Sequence, residues 1–390
     1  MLFRSAERTE ALIEPQIMNQ WFINVNKPLK ERDNKTLKEL MLEAVRGKNI
    51  NIIPDRFEKV YYNWIENLRD WCISRQIWYG HRIPVWYKKS MTNYELRITD
   101  EKKEEIYCDI NPPEDIENWE QDSDTLDTWF SSGLWTFSTL GWPDIKAKDF
   151  KDYHPTDVLE TGYDILFFWI ARMILMSTYL IGEIPFKTVY LHGIIRDSQG
   201  RKMSKSLGNS LDPLLLTEKY GADAVRMSLI IGTGPGNDSK MSEDKIRAYK
   251  NYANKLWNIT RFVLSSTNDI KHNENFNNFT NQDIQLRKEL DDMIKEITKE
   301  MDEYKFYLVG EKIYQYTWAR FADIILEESK TIFENGTNEE KLSRKQFLLE
   351  TLIKILKILH PFMPFVTEEI WSMMPLNNKK LLMVEKWPII

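Results

Sequence analysis

The feature that most constrains this chain is a short β-rich run, Thr188–Arg196 (TVYLHGIIR). It leads into Gly200-Arg-Lys-Met-Ser-Lys-Ser-Leu-Gly208 and then into Asp212-Pro213. A run so short and apolar reads as a buried strand. Asp before Pro reads as a helix N-cap and first helical position. Strand, loop and helix in that order build a parallel α/β sheet. Within the loop, glycine permits close backbone approach, and Lys202 and Lys205 are compact charges on flexible stems. Such a loop suits a polyphosphate whose charge must be balanced while a bond to its α-phosphorus breaks. A charged surface turn has the same residue types, so on composition alone both readings stand.

The flanking sequence divides at about residue 235. Residues 21–87 alternate apolar runs with charged turns, with a helical stretch at Leu37–Val45 that Gly47 ends. Residues 88–123 are polar and hold Pro112-Pro113, which predicts a surface insertion with a short hairpin. Ile165–Leu180 is long and apolar enough for a buried helix. Beyond residue 240 the pattern turns helical. Ser242 is a candidate N-cap with Glu243 and Asp244 in the first turn. Leu290, Met293, Ile294, Ile297 and Met301 form a second helical stripe, and Phe347–Leu359 a third helix. Polar loops are predicted at 265–282 and at about 332–345. This half reads as a helical bundle.

Composition excludes several classes. The 390 residues are too many for one average domain, and 42% of them are hydrophobic. A net charge of -6 requires any RNA-binding face to be a local patch. The two cysteines, Cys72 and Cys108, form no C-x-x-C pair, so neither a disulfide framework nor a zinc site is expected, and a reducing cytoplasm fits. The first residues, MLFRSAERTEALIEP, hold no signal-peptide core. No run of about 18 consecutive apolar residues predicts a membrane span.

Five blocks carry a resemblance. KMSKS at 202–206, after a strand and before a helix, resembles the second signature of class I aminoacyl-tRNA synthetases. Asn63–Tyr87 (NWIENLRDWCISRQIWYGHRIPVWY), Asp124–Pro143 (DTLDTWFSSGLWTFSTLGWP), Pro155–Met173 (PTDVLETGYDILFFWIARM) and His360–Trp371 (HPFMPFVTEEIW) resemble the valyl, isoleucyl and leucyl subgroup. The strings RDWCISRQ, GHRIP, FSTLGWP and TGYDILFFW match the valyl pattern best.

The resemblance implies an α/β fold: the second half of a Rossmann-type parallel-sheet catalytic domain over 21–235, then an all-α anticodon-binding bundle over 236–390. Residues 1–20 would be a remnant of the editing-domain connection. It implies ATP with Mg2+ as substrate, valine and tRNA(Val) as partners, and Lys202 and Lys205 as the catalytic pair, with Lys205 the direct ATP contact. His192 and Gly193 would lie against the adenosine. Gly162, Asp164, Ile165 and Trp169 would line the amino-acid pocket; on residue types alone they also fit a core helix with a capping Asp. Tyr79, which departs from the Trp expected there, is the last pocket candidate.

The family's first signature, His-x-Gly-His, is not formed by any of the five histidines, His81, His154, His192, His272 and His360. The expectation is therefore that activity needs an amino-terminal half of the synthetase as partner. A tRNA-binding module without catalysis, or an isoleucyl relative, remains the alternative.

Overall fold

A computed structural model describes residues 11–14, 17–89, 105–203, 208–270, 272–273, 276–376 and 379–388. Lys205 and most of the stretch 1–20 lie outside the described residues, as does the middle of the 88–123 insertion. The chain forms two compact units, Met1–Leu191 and His192–Ile390.

The first unit is built on a three-stranded sheet in the order Asn51–Ile53, Phe186–His192, Thr156–Gly162. The central strand runs parallel to its short neighbour, with Thr188 opposite Asn51 and Tyr190 opposite Ile53. Phe186, Val189 and Leu191 on the central strand are fully buried, as are Ile50 and Ile52 beside it. Burial on both sides explains why this strand reads as a near-continuous apolar run. Helix Leu37–Arg46 starts at a capping box, Thr36 with Glu39, and ends at Gly47. It buries Met41 and Val45 against the core that Tyr61, Ile170 and Ile174 complete.

The expected helix Ile165–Leu180 is not regular. A 3-10 turn at Tyr163–Ile165 passes into a π-helical turn at Leu166–Ile170 and only then into an α-helix, Ala171–Leu180. By length and composition, Tyr163–Leu180 is apolar enough to cross a membrane. Here its inner face, from Leu166 through Ile170 to Met173–Met176, is part of the first unit's core.

The insertion holds more than a hairpin. Val85–Lys88 is the middle strand of an antiparallel sheet, between Ile106–Cys108 and Trp119–Gln121. Tyr107 stands 5.9 Å from Trp86 and 6.0 Å from Trp119, ring centre to ring centre.

The second unit opens with a two-strand parallel pairing, Ile195–Arg196 with Ser239–Lys240. Asp212 caps helix Pro213–Tyr220 by accepting from the Leu214 amide at 2.9 Å. Ser242 likewise caps Glu243–Ser266, accepting from Lys245 at 3.3 Å. Helices Asn281–Asp302, Phe306–Gln315, the π-helical Tyr316–Ile325, Leu326–Asn335, Asn338–Leu359 and Pro364–Met373 complete the bundle. Leu290, Ile294 and Ile297 of the predicted stripe are buried in it, with Tyr252, Leu256, Phe321 and Phe347.

Two expectations are corrected. The polar stretch 332–345 is mostly helix. Thr337 and Glu340 form a capping box, the amide of Thr337 donating to Glu340 at 2.7 Å and that of Glu340 to Thr337 at 3.2 Å. Its polarity has a second cause: Arg344 is fully buried and paired with Asp283 at 2.7 Å, with Ser329 on its other side at 3.1 Å. A buried charge needs such partners.

The run Thr188–Arg196 is also not one strand: it breaks after His192, and Ile195–Arg196 belongs to a different sheet. The compact units part at Leu191/His192. Met227 and Ile231 belong to the bundle core. Arg226 donates to the carbonyls of Pro361 and Phe362. Asp223 accepts from the amides of Phe365 and Val366 at 3.2 and 2.7 Å, capping the helix that starts at Pro364. Packing thus assigns the helices of 213–230 to the bundle.

Candidate active site

In the first unit, Gly162 ends strand Thr156–Gly162, and Asp164 follows on the 3-10 turn, exposed to solvent. Ile165 is the half-buried residue at which the 3-10 turn passes to the π-turn. The π-turn interrupts the expected regular helix. Three successive rings instead meet three different partners. Phe167 stacks on Trp64 at 4.0 Å, Phe168 on Trp129 at 5.8 Å, and Trp169 leans on Trp135 at 5.9 Å. The Trp169 indole also donates to the Ser132 carbonyl at 3.1 Å. Isolated π-turns recur at functional sites because they aim side chains that an α-helix would not. Gly162, Asp164, Ile165 and Trp169 thus share one continuous segment. Tyr79 stands apart from them, 88% exposed just before Gly80.

Sequence reasoning missed a group next to that segment. Arg172 lies over the Trp71 ring at 3.9 Å. Burial pushes its guanidinium down to about 10, while the Asp127 carboxylate opposes that shift. Asp127 also accepts from the Trp71 indole at 3.1 Å and pairs with Arg75 at 3.1 Å. Beside them opens a cleft of about 540 Å³ lined by Asn63, Trp64, Arg69, Asp70, Arg75 and Arg172. The available signal was the density of Arg and Trp in RDWCISRQ.

In the second unit, His192 is exposed at the end of the central strand, its Nδ1 2.7 Å from the Gly193 carbonyl oxygen. The carboxyl end of a parallel strand is where open α/β sheets bind ligands. Gly193 has a steric reason to be glycine: a Cβ there would stand 1.8 Å from the Asn237 carbonyl oxygen. The lysine loop leaves from Asp197, and Lys202 returns to make a bridge with Arg196. Asp197 is nearly buried and accepts from the amides of Gln199 and Arg201 at 3.0 and 2.8 Å. Its second oxygen accepts from the Arg201 guanidinium at 2.8 Å and the Asn209 amide group at 3.0 Å. These bonds, that of Asn209 foremost, hold the carboxyl at about 2, below its ordinary value. Asp197 and Asn209 were also missed; the signal was a polar residue just outside each of Gly200 and Gly208.

Residues 7–242 match the family described as tRNA synthetases class I (I, L, M and V). The chain belongs to the class I tRNA synthetases.

That match takes in both segments just described and ends at Ser242, the cap of the first long helix. Residues 283–389 match the anticodon-binding domain of tRNA ligase, starting at the Asp283 that pairs with Arg344. The synthetase chain is 44% identical over 387 residues to the valine–tRNA ligase of Bacillus subtilis, covering 99% of this chain and 42% of that protein. It is 45% identical over 385 residues to that of Geobacillus kaustophilus, covering 98% and 41%. The chain therefore spans about two-fifths of the length of these curated relatives. Solved structures agree on the fold. Methionyl-tRNA synthetase of Mycobacterium tuberculosis in complex with methionyl-adenylate superposes with a TM-score of 0.70 at 20% identity, over 95% of this chain and 65% of that one. The leucyl enzyme of Agrobacterium radiobacter K84, in a ternary complex with tRNA, gives 0.63 at 21% identity, over 85% and 45%.

Proposed function

We propose that this synthetase chain provides part of a valine–tRNA ligase, which activates valine with ATP and transfers it to tRNA(Val). The observation that carries the reading is identity of 44–45% with valine–tRNA ligases over 98–99% of the chain. In the first step the valine carboxylate attacks the α-phosphorus of ATP and pyrophosphate leaves. In the second, a hydroxyl of the terminal ribose of tRNA attacks the valyl carbonyl and AMP leaves. Lys205, with Lys202 in support, neutralises charge developing on the phosphates. His192 and Gly193 border the adenosine. Gly162, Asp164, Ile165 and Trp169 line the valine pocket, with Tyr79 an outlying wall.

Mg2+ enters with the ATP phosphates, as it commonly does. Among the described residues no group of three or more His, Cys, Asp or Glu is arranged to hold an ion. Residues 21–235 serve the chemistry and 236–390 the tRNA, although packing divides the chain earlier. The histidine signature would come from polypeptide outside these 390 residues, an amino-terminal half in the same or another chain. The setting is the cytoplasm, where translation enzymes work.

The test is valine-dependent ATP–pyrophosphate exchange by this chain alone, and then with the amino-terminal half of a valine–tRNA ligase. Exchange with valine that Lys205→Ala abolishes supports the reading. Exchange with isoleucine in place of valine would move it to the isoleucyl relative. The anticodon-domain match over 283–389 also favours a second reading, a tRNA-binding module. Binding of tRNA(Val) with no exchange in either mixture would select that one.

A further inference from the structure

We propose that Asp197 is a positioning residue for Lys202. With Asn209 it forms a clasp that joins the residues entering the lysine segment to those leaving it. This rests on the reading that Lys202 faces phosphate.

The clasp is a set of bonds converging on one carboxylate. Asp197 accepts four, two on each carboxylate oxygen: the amides of Gln199 and Arg201, the Arg201 guanidinium and the Asn209 side chain. Its own amide donates to the Arg201 carbonyl at 3.0 Å, and its carbonyl accepts from Gly200 at 2.9 Å. The Asn209 amide group also donates to the Lys202 carbonyl at 3.3 Å. One asparagine therefore holds both the carboxylate before the segment and the lysine backbone within it. A second anchor stands behind. Asp238 accepts from the Ile194 amide at 2.8 Å and from Arg196 at 2.5 Å, and Arg196 donates to the Gly200 carbonyl at 3.3 Å.

Only an ionised carboxylate satisfies this arrangement. It offers about four acceptor sites and no donor, and four donors converge on it. Asparagine has the same shape but would turn an NH₂ group towards two of them. The Arg201 side chain is 58% exposed, so its ion pair adds little. The bond to Asn209 is the one that spans the segment. Lys202 is exposed, and among the described residues its place is set through its backbone, by the Arg196 bridge and the Asn209 bond.

The test uses Asp197→Asn, Asn209→Ala and the double variant of the full chain. Limited trypsin digestion would be followed by mass spectrometry at the bonds after Arg201 and Lys202, with melting temperature measured alongside. Each single variant should be cut there about tenfold faster, the factor that ~1.4 kcal/mol of lost local stability gives. The double variant should be cut no faster than Asp197→Asn, because both changes open the same clasp. The melting temperature and the cuts elsewhere should stay near the unmodified protein's. Unchanged cutting after Lys202, single effects that multiply, or faster cutting throughout the chain would overturn the proposal. If Asp197→Asn does not fold, Asn209→Ala against the unmodified chain decides by the same cut. Under conditions where the unmodified protein gives valine-dependent exchange, the variants should raise KM for ATP or lower kcat and leave KM for valine unchanged. If the unmodified protein gives no exchange either alone or with the amino-terminal half, the activation reading falls, and the cutting rates still judge the clasp.

Discussion

The two units hold their candidate site residues by different physics. In the first, Phe167, Phe168 and Trp169 are placed by ring packing on Trp64, Trp129 and Trp135. In the second, the lysine segment and the helix ends are placed by polar staples: Asp197 with Asn209, Asp223 on the helix at Pro364, and Arg344 with Asp283. Packing contacts are many, weak and non-directional, so a lost methyl group removes a fraction of the total. A staple is one or two bonds to a desolvated group, and losing one partner strands the other. The first unit should therefore weaken in steps, and the second should fail at single residues.

The largest effect that would test this contrast lies in the bundle. Arg344→Ala should cost about 3–5 kcal/mol in urea denaturation, because it leaves Asp283 as an unpaired buried charge. Replacing both partners with apolar residues, Arg344→Met with Asp283→Leu, should recover most of that loss. A single substitution that costs under about 1 kcal/mol would erase the contrast.

Gly193→Ala comes next. Its Cβ would meet the Asn237 backbone, so the strand end or the facing segment must move, at about 1–3 kcal/mol. Thr337→Ala removes the cap of helix Asn338–Leu359 and should cost about 1 kcal/mol by the same measurement. In the first unit, Ile174→Val, fully buried but only one methylene smaller, should cost about 0.5–1.5 kcal/mol. A larger loss there than at Gly193 would reverse the ranking of the two units.

The smallest effect is one of pH. The Asp197 carboxyl is depressed to about 2 in the folded chain, with Asn209 the largest cause. A depressed carboxyl stabilises above its unfolded pKa of about 3.9, and that contribution disappears as pH falls through the folded value. Hydrogen exchange at the Arg201 amide should therefore stay protected down to about pH 4 and lose protection between there and about pH 2. Loss of protection already at neutral pH would show that the carboxylate does not hold this amide.

Much of this was legible in the sequence because it is local. Asp212-Pro213 and Ser242 cap helices through residues two or three positions away. The helical stripe of Leu290, Ile294 and Ile297 follows from periodicity; of the run Thr188–Arg196 only the part up to His192 forms the buried strand. The capping box Thr337-Asn-Glu-Glu340 was equally local and was obscured by the polarity around it, which here serves a buried ion pair.

The π-turn was not legible. Nothing in LFFWI forbids a regular helix, and the irregular turn is stabilised by rings from Trp64, Trp129 and Trp135, distant in sequence. The same distance hides the unit boundary, since Asp223 caps a helix that begins at Pro364. By itself, then, the sequence determined most of the strand, loop and helix segments, the π-turn and the stretch 332–345 excepted, and which lysines and glycines they carry, because caps, turns and periodicity act within a few residues. Only the tertiary structure decided that Gly193 must admit the Asn237 carbonyl, that Arg344 is buried with Asp283, and that Asp197 and Asn209 close one clasp. Those contacts depend on which distant groups arrive at the same place, and no short-range rule specifies that.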